Sequence, residues 1–211
     1  MDAASHGEIS EHIASEEIAG SPEFRHLSTI AGIAVDLRYA GADNFTGRDL
    51  YSPFDCAWLH REAAGALESA VAWLAAHAPG HTLLVLDALR PQRVQQQLWD
   101  ALAGTGLQMY LANPARGSIH SYGMALDVTI LDPQGAELDM GTGFDDMTDL
   151  SHPALEAGFL AAGALSEAQL ANRRLLRGAM FGAGFLGINT EWWHFDCGDR
   201  DRVRATFRRV L

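Results

Sequence analysis

At 211 residues, 48% of them hydrophobic and 20% charged, the chain has the composition of a folded globular protein and the length of one domain with a sizeable core. Its 27 acidic against 15 basic side chains give a formal net charge of -12, a field that repels phosphate backbones and excludes nucleic acid as an expected partner. No run approaches the roughly 20 apolar residues of a membrane-spanning helix, so no membrane partner is expected either.

The start, "MDAASHGEISEHIASEEIAG", is acidic and lacks the basic head and apolar run of an export signal, which points to the cytoplasm. Cys56 and Cys197 are too few for a disulfide framework, and reduced thiols fit the same compartment. Residues 1–28 have weak periodicity and many polar side chains; we expect a surface arm there, with the domain proper over 29–211. "IAGIAVDLRYA" (30–40) alternates like a half-buried strand, and "GADNFTGRDLYSP" (41–53) has the composition of a loop. From Trp58 to His77, Leu59, Ala63, Leu67, Val71 and Leu74 recur at helical spacing until "APGH" stops them.

"TLLVLDA" (82–88) predicts a buried strand running into the Arg90-Pro91 turn, followed by a second helix over 92–106. "LDVTIL" (126–131) has the β-branched richness of another strand, and the glycine-rich stretch 139–147 that of a loop. Ser166 stands where a cap would begin a helix running to about 185, and "RVRATFRR" (202–209) is expected to be the solvated face of a terminal element. Strands not separated by regular crossover helices predict a single α+β domain with a largely antiparallel sheet flanked by helices.

Two stretches carry chemistry. A catalytic zinc site needs three ligands from His, Asp, Glu or Cys with one position open, and a separate carboxylate to carry a proton. "SIHSYGMALD" (118–127) offers His120 and Asp127, with Gly123 between them to let the backbone turn; "TEWWHFD" (190–196) offers His194 as third ligand and Glu191 as base. In a regular strand positions three apart face opposite ways, so Glu191 and His194 can share a site only through a bulge or turn. Taken alone, the spacing leaves core histidines and a turn aspartate as an equal alternative. His26, His60, His77, His81 and His152 receive no role, and His6 and His12 fall in the expected arm.

These residues resemble a known family. "SIHSYGMALD" is similar to the SxHxxGxAxD motif, and "EWWH" to the ExxH motif, of the D-alanyl-D-alanine metallopeptidases, which share a fold with the Hedgehog signalling domain. "DLRYAGADNFTG" (36–47), "LDALRPQR" (86–93), "MGTGFDDM" (140–147) and "NRRLLRGAMFGAGF" (172–185) resemble the corresponding segments of its D-Ala-D-Ala dipeptidases in the same order. The resemblance implies one Zn2+ per chain on His120, Asp127 and His194, Glu191 as general base and acid, and Arg90 beside the metal to stabilise an oxyanion. It further implies that Asp145 holds the free ammonium of a small D,D-dipeptide in a cavity lined by Tyr39, Ser118 and Tyr51, Tyr51 being matched across a short deletion. Ile119 and Tyr122, at variable positions of the first motif, are expected to narrow the cavity mouth.

The implied activity is hydrolysis of D-Ala-D-Ala in a bacterial cytoplasm, serving glycopeptide resistance or D-alanine salvage. A D,D-carboxypeptidase acting on peptidoglycan stems and a zinc-binding module without turnover are the alternatives.

Overall fold

The computed structural model describes residues 11–211, and His6 lies outside them. Its centre is a five-stranded sheet. In chain order the strands and main helices are β1 (His12–Ile13), β2 (Phe24–His26), β3 (Ile33–Val35), β4 (Trp58–His60), α1 (Arg61–His77), β5 (Thr82–Asp87), α2 (Gln92–Ala101) and β6 (Ala125–Leu131). They continue with α3 (Glu156–Ala161), α4 (Glu167–Gly182), β7 (Phe185–Gly187), β8 (His194–Cys197), α5 (Arg200–Thr206) and β9 (Arg209–Val210). The central sheet runs β3-β5-β6-β8-β7; only the β3–β5 pair is parallel, so the chain is a largely antiparallel α+β domain, as expected.

One face of this sheet is apolar and covered by helices. Leu83 and Val85 of β5, Leu126, Val128 and Ile130 of β6 and Phe195 of β8 join one buried cluster with Leu59, Ala63, Leu67 and Leu74 of the α1 region and Leu176, Ala179 and Met180 of α4. The two helices approach closely because α4 carries glycine where Trp73 of α1 sits: a Cβ on Gly178 would lie 2.6 Å from the indole. Helix α4 begins with a reciprocal capping box between Ser166 and Gln169, which satisfies the first free N–H groups and bears out the expected cap.

The opposite face carries the polar residues, because side chains alternate along a strand. Asp127 lies between Leu126 and Val128 and so points away from α1 and α4. His194 and Asp196 flank Phe195 in the same way.

Four expectations change. The helix expected from Trp58 starts at Arg61, because Trp58–His60 pairs antiparallel with Phe24–His26 and His60 then caps α1 by accepting from the Glu62 N–H at 3.2 Å. The second helix stops at Ala101, and the strand expected over 30–40 narrows to Ile33–Val35, followed by a 3-10 turn at Arg38–Ala40. Finally, the described part of the expected arm packs on the body: β1 pairs in parallel with β9, and Ile13, Ile18, Phe24 and Leu27 are buried. Among the described residues no helix is long and apolar enough to cross a membrane.

Candidate metal centre and active site

Sheet register assembles the site. Asp87 of β5 stands opposite Asp127 of β6, which stands opposite His194 of β8, so three adjacent strands present a row of polar side chains on the face away from α1 and α4. A bulge makes this possible: between Val85 and Asp87 the register slips, and the extra residue turns Asp87 onto the face of Asp127. His120 arrives from the short turn Ile119–Tyr122 before β6. Gly123 ends that turn at φ +65°, and a Cβ there would stand 2.7 Å from the backbone N of His60. Glycine is therefore required between the two halves of "SIHSYGMALD".

His120 Nε2, Asp127 Oδ1 and His194 Nδ1 converge: His120 to His194 is 3.1 Å, His194 to Asp127 3.0 Å and His120 to Asp127 3.4 Å. Protein ligands about 2.0–2.2 Å from a tetrahedral zinc ion stand roughly 3.3–3.6 Å apart, close to this triangle. The outer partners fix which nitrogens face inward. His120 Nδ1 donates to the carbonyl of Ala88 at 2.8 Å and His194 Nε2 donates to Asp196 at 3.0 Å, so Nε2 of His120 and Nδ1 of His194 are left with their lone pairs turned toward one another and toward a carboxylate. Such a set is repulsive unless it shares a cation. Burial pulls the His194 imidazole down, yet Asp196 and Asp127 hold it well above its usual value, so the surroundings call for positive charge there. Burial opposes ionisation of Asp127 as well, but His120 and His194 keep its carboxyl well below the usual range. The three side chains could hold a metal ion.

Arg90 is buried beside this triangle. Its Nε donates to Asp87 at 2.7 Å, Nη2 to Asp127 Oδ2 at 3.1 Å and Nη1 to Gln95 at 3.2 Å, while its guanidinium lies 5.1 Å over the Tyr39 ring. Asp127 thus gives one oxygen to the triangle and the other to Arg90. The guanidinium is held at three points, Arg90 lines the adjoining cavity, and Nη1 carries a second N–H beyond the one given to Gln95.

That cavity, of about 270 Å³, is lined by Arg90, His120, Asp127 and His194 together with Glu191, Asp145, Tyr39, Ser118 and Ile119. Glu191 precedes β8 and is separated from His194 by a bend at Trp192 and Trp193, which answers how the two can face the same space. Burial pushes the Glu191 carboxyl up to about 7; His194 and Arg90 oppose the rise, Asp127 and Asp196 add to it. Asp145, at φ +60°, receives the Tyr39 hydroxyl at 2.9 Å. Burial raises it to about 8 against the pull of Tyr39 and Arg90.

Two residues lie elsewhere. Tyr51 is fully buried and donates its hydroxyl to Asp87, behind Arg90, and it does not line the cavity. Tyr122 likewise lies away from the mouth, with its hydroxyl near Gly117. The expected site also omits several residues that matter: Asp87 and Gln95, which hold Arg90; Asp196, which holds His194; Arg200 and Arg204; and the segment Met109–Ala112, which forms one wall. Asp196 was within reach of a sequence argument, since two positions after His194 in a strand means the same face. Asp87 depends on the bulge.

Residues 23–210 match the peptidase M15 family model, described as D-ala-D-ala dipeptidase. The chain is 39% identical over 164 residues to a D-alanyl-D-alanine dipeptidase of Escherichia coli (strain K12), covering 78% of each chain. It is 33% identical over 198 residues to the D-alanyl-D-alanine dipeptidase of Enterococcus faecium, covering 84% of this chain and 92% of that one. It is 32% identical over 183 residues to that of Enterococcus faecalis (strain ATCC 700802 / V583), covering 78% and 85%.

Proposed function

This chain belongs to the peptidase M15 family of D-Ala-D-Ala dipeptidases and hydrolyses D-Ala-D-Ala, and we propose that it does so with one zinc ion held by His120, Asp127 and His194. The observation that carries the assignment is the convergence of two imidazole lone pairs and a carboxylate oxygen, 3.0–3.4 Å apart, in one cavity with Glu191 and Asp145. When bound there, zinc would supply Lewis acidity to the scissile carbonyl and lower the pKa of its water to about 7.

The chain's own groups do the rest. Glu191, ionised, takes a proton from the attacking water as its oxygen bonds to the carbonyl carbon. The free Nη1 donor of Arg90, pre-aimed by Asp87, Asp127 and Gln95, meets the negative charge that develops on the carbonyl oxygen. When the C–N bond breaks, Glu191 returns the proton to the departing amine, and two D-alanines leave. A carboxyl poised near 7 suits both transfers at neutral pH.

Asp145 receives the substrate's ammonium. A carboxyl raised to about 8 by burial lacks a counter-charge, and an ammonium supplies one. The small cavity volume suits a dipeptide rather than a longer stem. Ser118 and Tyr39 complete the lining, whereas Tyr51 acts through Asp87 on Arg90. A cytoplasmic place of action fits the two free cysteines, Cys56 and Cys197.

The test compares free D-Ala-D-Ala with its N-acetylated form. The free dipeptide is expected to be cleaved at least about 100-fold more efficiently, because an acetyl group removes the charge and leaves Asp145 unpaired. Equal turnover of the two would move the enzyme to the carboxypeptidases.

A further inference from the structure

The cavity has a second charged wall, contributed by α5 and remote in sequence from both motifs. Arg200 and Arg204, four residues apart and so on one face of the helix, both line it. Their circumstances differ. Arg200 is committed, its Nε donating to Asp196 at 2.5 Å and its Nη2 pairing with the same carboxylate. Arg204 is 16% exposed and makes one hydrogen bond, from Nε to the carbonyl of Gly117 at 3.2 Å, which fixes it beside Ser118. Its Nη1 is buried without a hydrogen-bond acceptor. Asp201 lies 3.6 Å from Nη1, but it is 85% exposed and also faces Arg116, so solvent screens much of that attraction. Burial, then Arg116 and Arg200, lowers the pKa of Arg204, as befits a guanidinium crowded by two others with too little negative charge between them.

We propose that Arg204, beside Ser118 and backed by Arg200, receives the free α-carboxylate of the dipeptide's second residue and so determines specificity at the C-terminal end. This rests on the dipeptidase reading above. A guanidinium matches a carboxylate with two parallel hydrogen bonds, and an anchored one loses little freedom in making them. With Asp145 for the ammonium, the cavity then reads both charges of a zwitterionic dipeptide. A substrate whose carboxylate is blocked leaves Arg204 buried and unpaired, and longer peptides extended at that end are refused for the same reason.

The experiment measures kcat/KM for D-Ala-D-Ala and for its C-terminal amide with the zinc-loaded wild type, Arg204→Gln and Arg204→Lys, and binding of both compounds to the Glu191→Gln form by calorimetry. The wild type is expected to prefer the free acid by about 10- to 100-fold. In Arg204→Gln that preference collapses to within about threefold through a raised KM for the free acid, with kcat and metal content little changed. Arg204→Lys recovers part of it. A role confined to clamping the Gly117 carbonyl would lower both substrates alike, and that result overturns the proposal. So does equal cleavage of acid and amide by the wild type, a comparison that stands even if Arg204→Gln fails to fold. Silence of the wild type toward both compounds removes the dipeptidase reading itself, and this inference with it.

Discussion

Glu191→Gln is expected to lower kcat for D-Ala-D-Ala by about 10³- to 10⁴-fold while the protein stays folded and keeps its metal. Glu191 lines the cavity but stands outside the triangle of ligand atoms, so the amide removes its proton chemistry and little else. The same argument fixes the pH dependence in the wild type. Burial raises the carboxyl to about 7, so below that pH it is increasingly neutral and has no capacity to accept water's proton. The rate kcat, read with substrate bound and Asp145 paired with its ammonium, should therefore fall as pH drops through about 7, close to tenfold per unit on the acid side, and Glu191→Gln should erase that limb from the residual activity. D-alanine release against pH, with metal content measured on the same preparations, checks both statements. Metal loss in the variant would make Glu191 a ligand and void its assignment as base.

The second large effect is expected at His120. Its ring is 1% exposed and tied through Nδ1 to Ala88, with Nε2 left for a cation. His120→Ala should reduce zinc affinity by more than the about 10- to 100-fold that loss of an outer partner costs, and take hydrolysis below detection at equimolar zinc. The fold should persist, because α1, α4 and the apolar face of the sheet lie on the other side. Equilibrium dialysis with zinc and the same release assay decide it; retained activity at one equivalent would show that the ion sits elsewhere.

What the sequence made legible follows from how local each feature is. The ligands His120 and Asp127 share one short stretch whose glycine has a local reason, the left-handed turn at Gly123, so the pattern could be read without the fold. Glu191 and His194 were paired on spacing and resemblance, while the bend that brings them together belongs to the three-dimensional chain. Asp87 escaped because its role depends on a bulge that no residue type announces, and Tyr51 was assigned to a cavity that it supports from behind. Arg204 escaped because α5 reaches the site only through tertiary packing, and from its composition it read as a solvated face. Non-local pairing explains the fold-level differences too. Trp58–His60 has helical spacing but pairs with Phe24–His26, and the weakly patterned segment at His12–Ile13 gains its order from β9 at the far end of the chain.

The most direct test of the metal-centred account is a titration. Metal-free protein is given zinc in fractions of an equivalent while D-alanine release from free D-Ala-D-Ala is followed. Activity is expected to be absent at the start, to rise linearly and to saturate at one zinc per chain, as one His120–Asp127–His194 triangle requires. Hydrolysis by the metal-free protein, or saturation only at two or more equivalents, would contradict it.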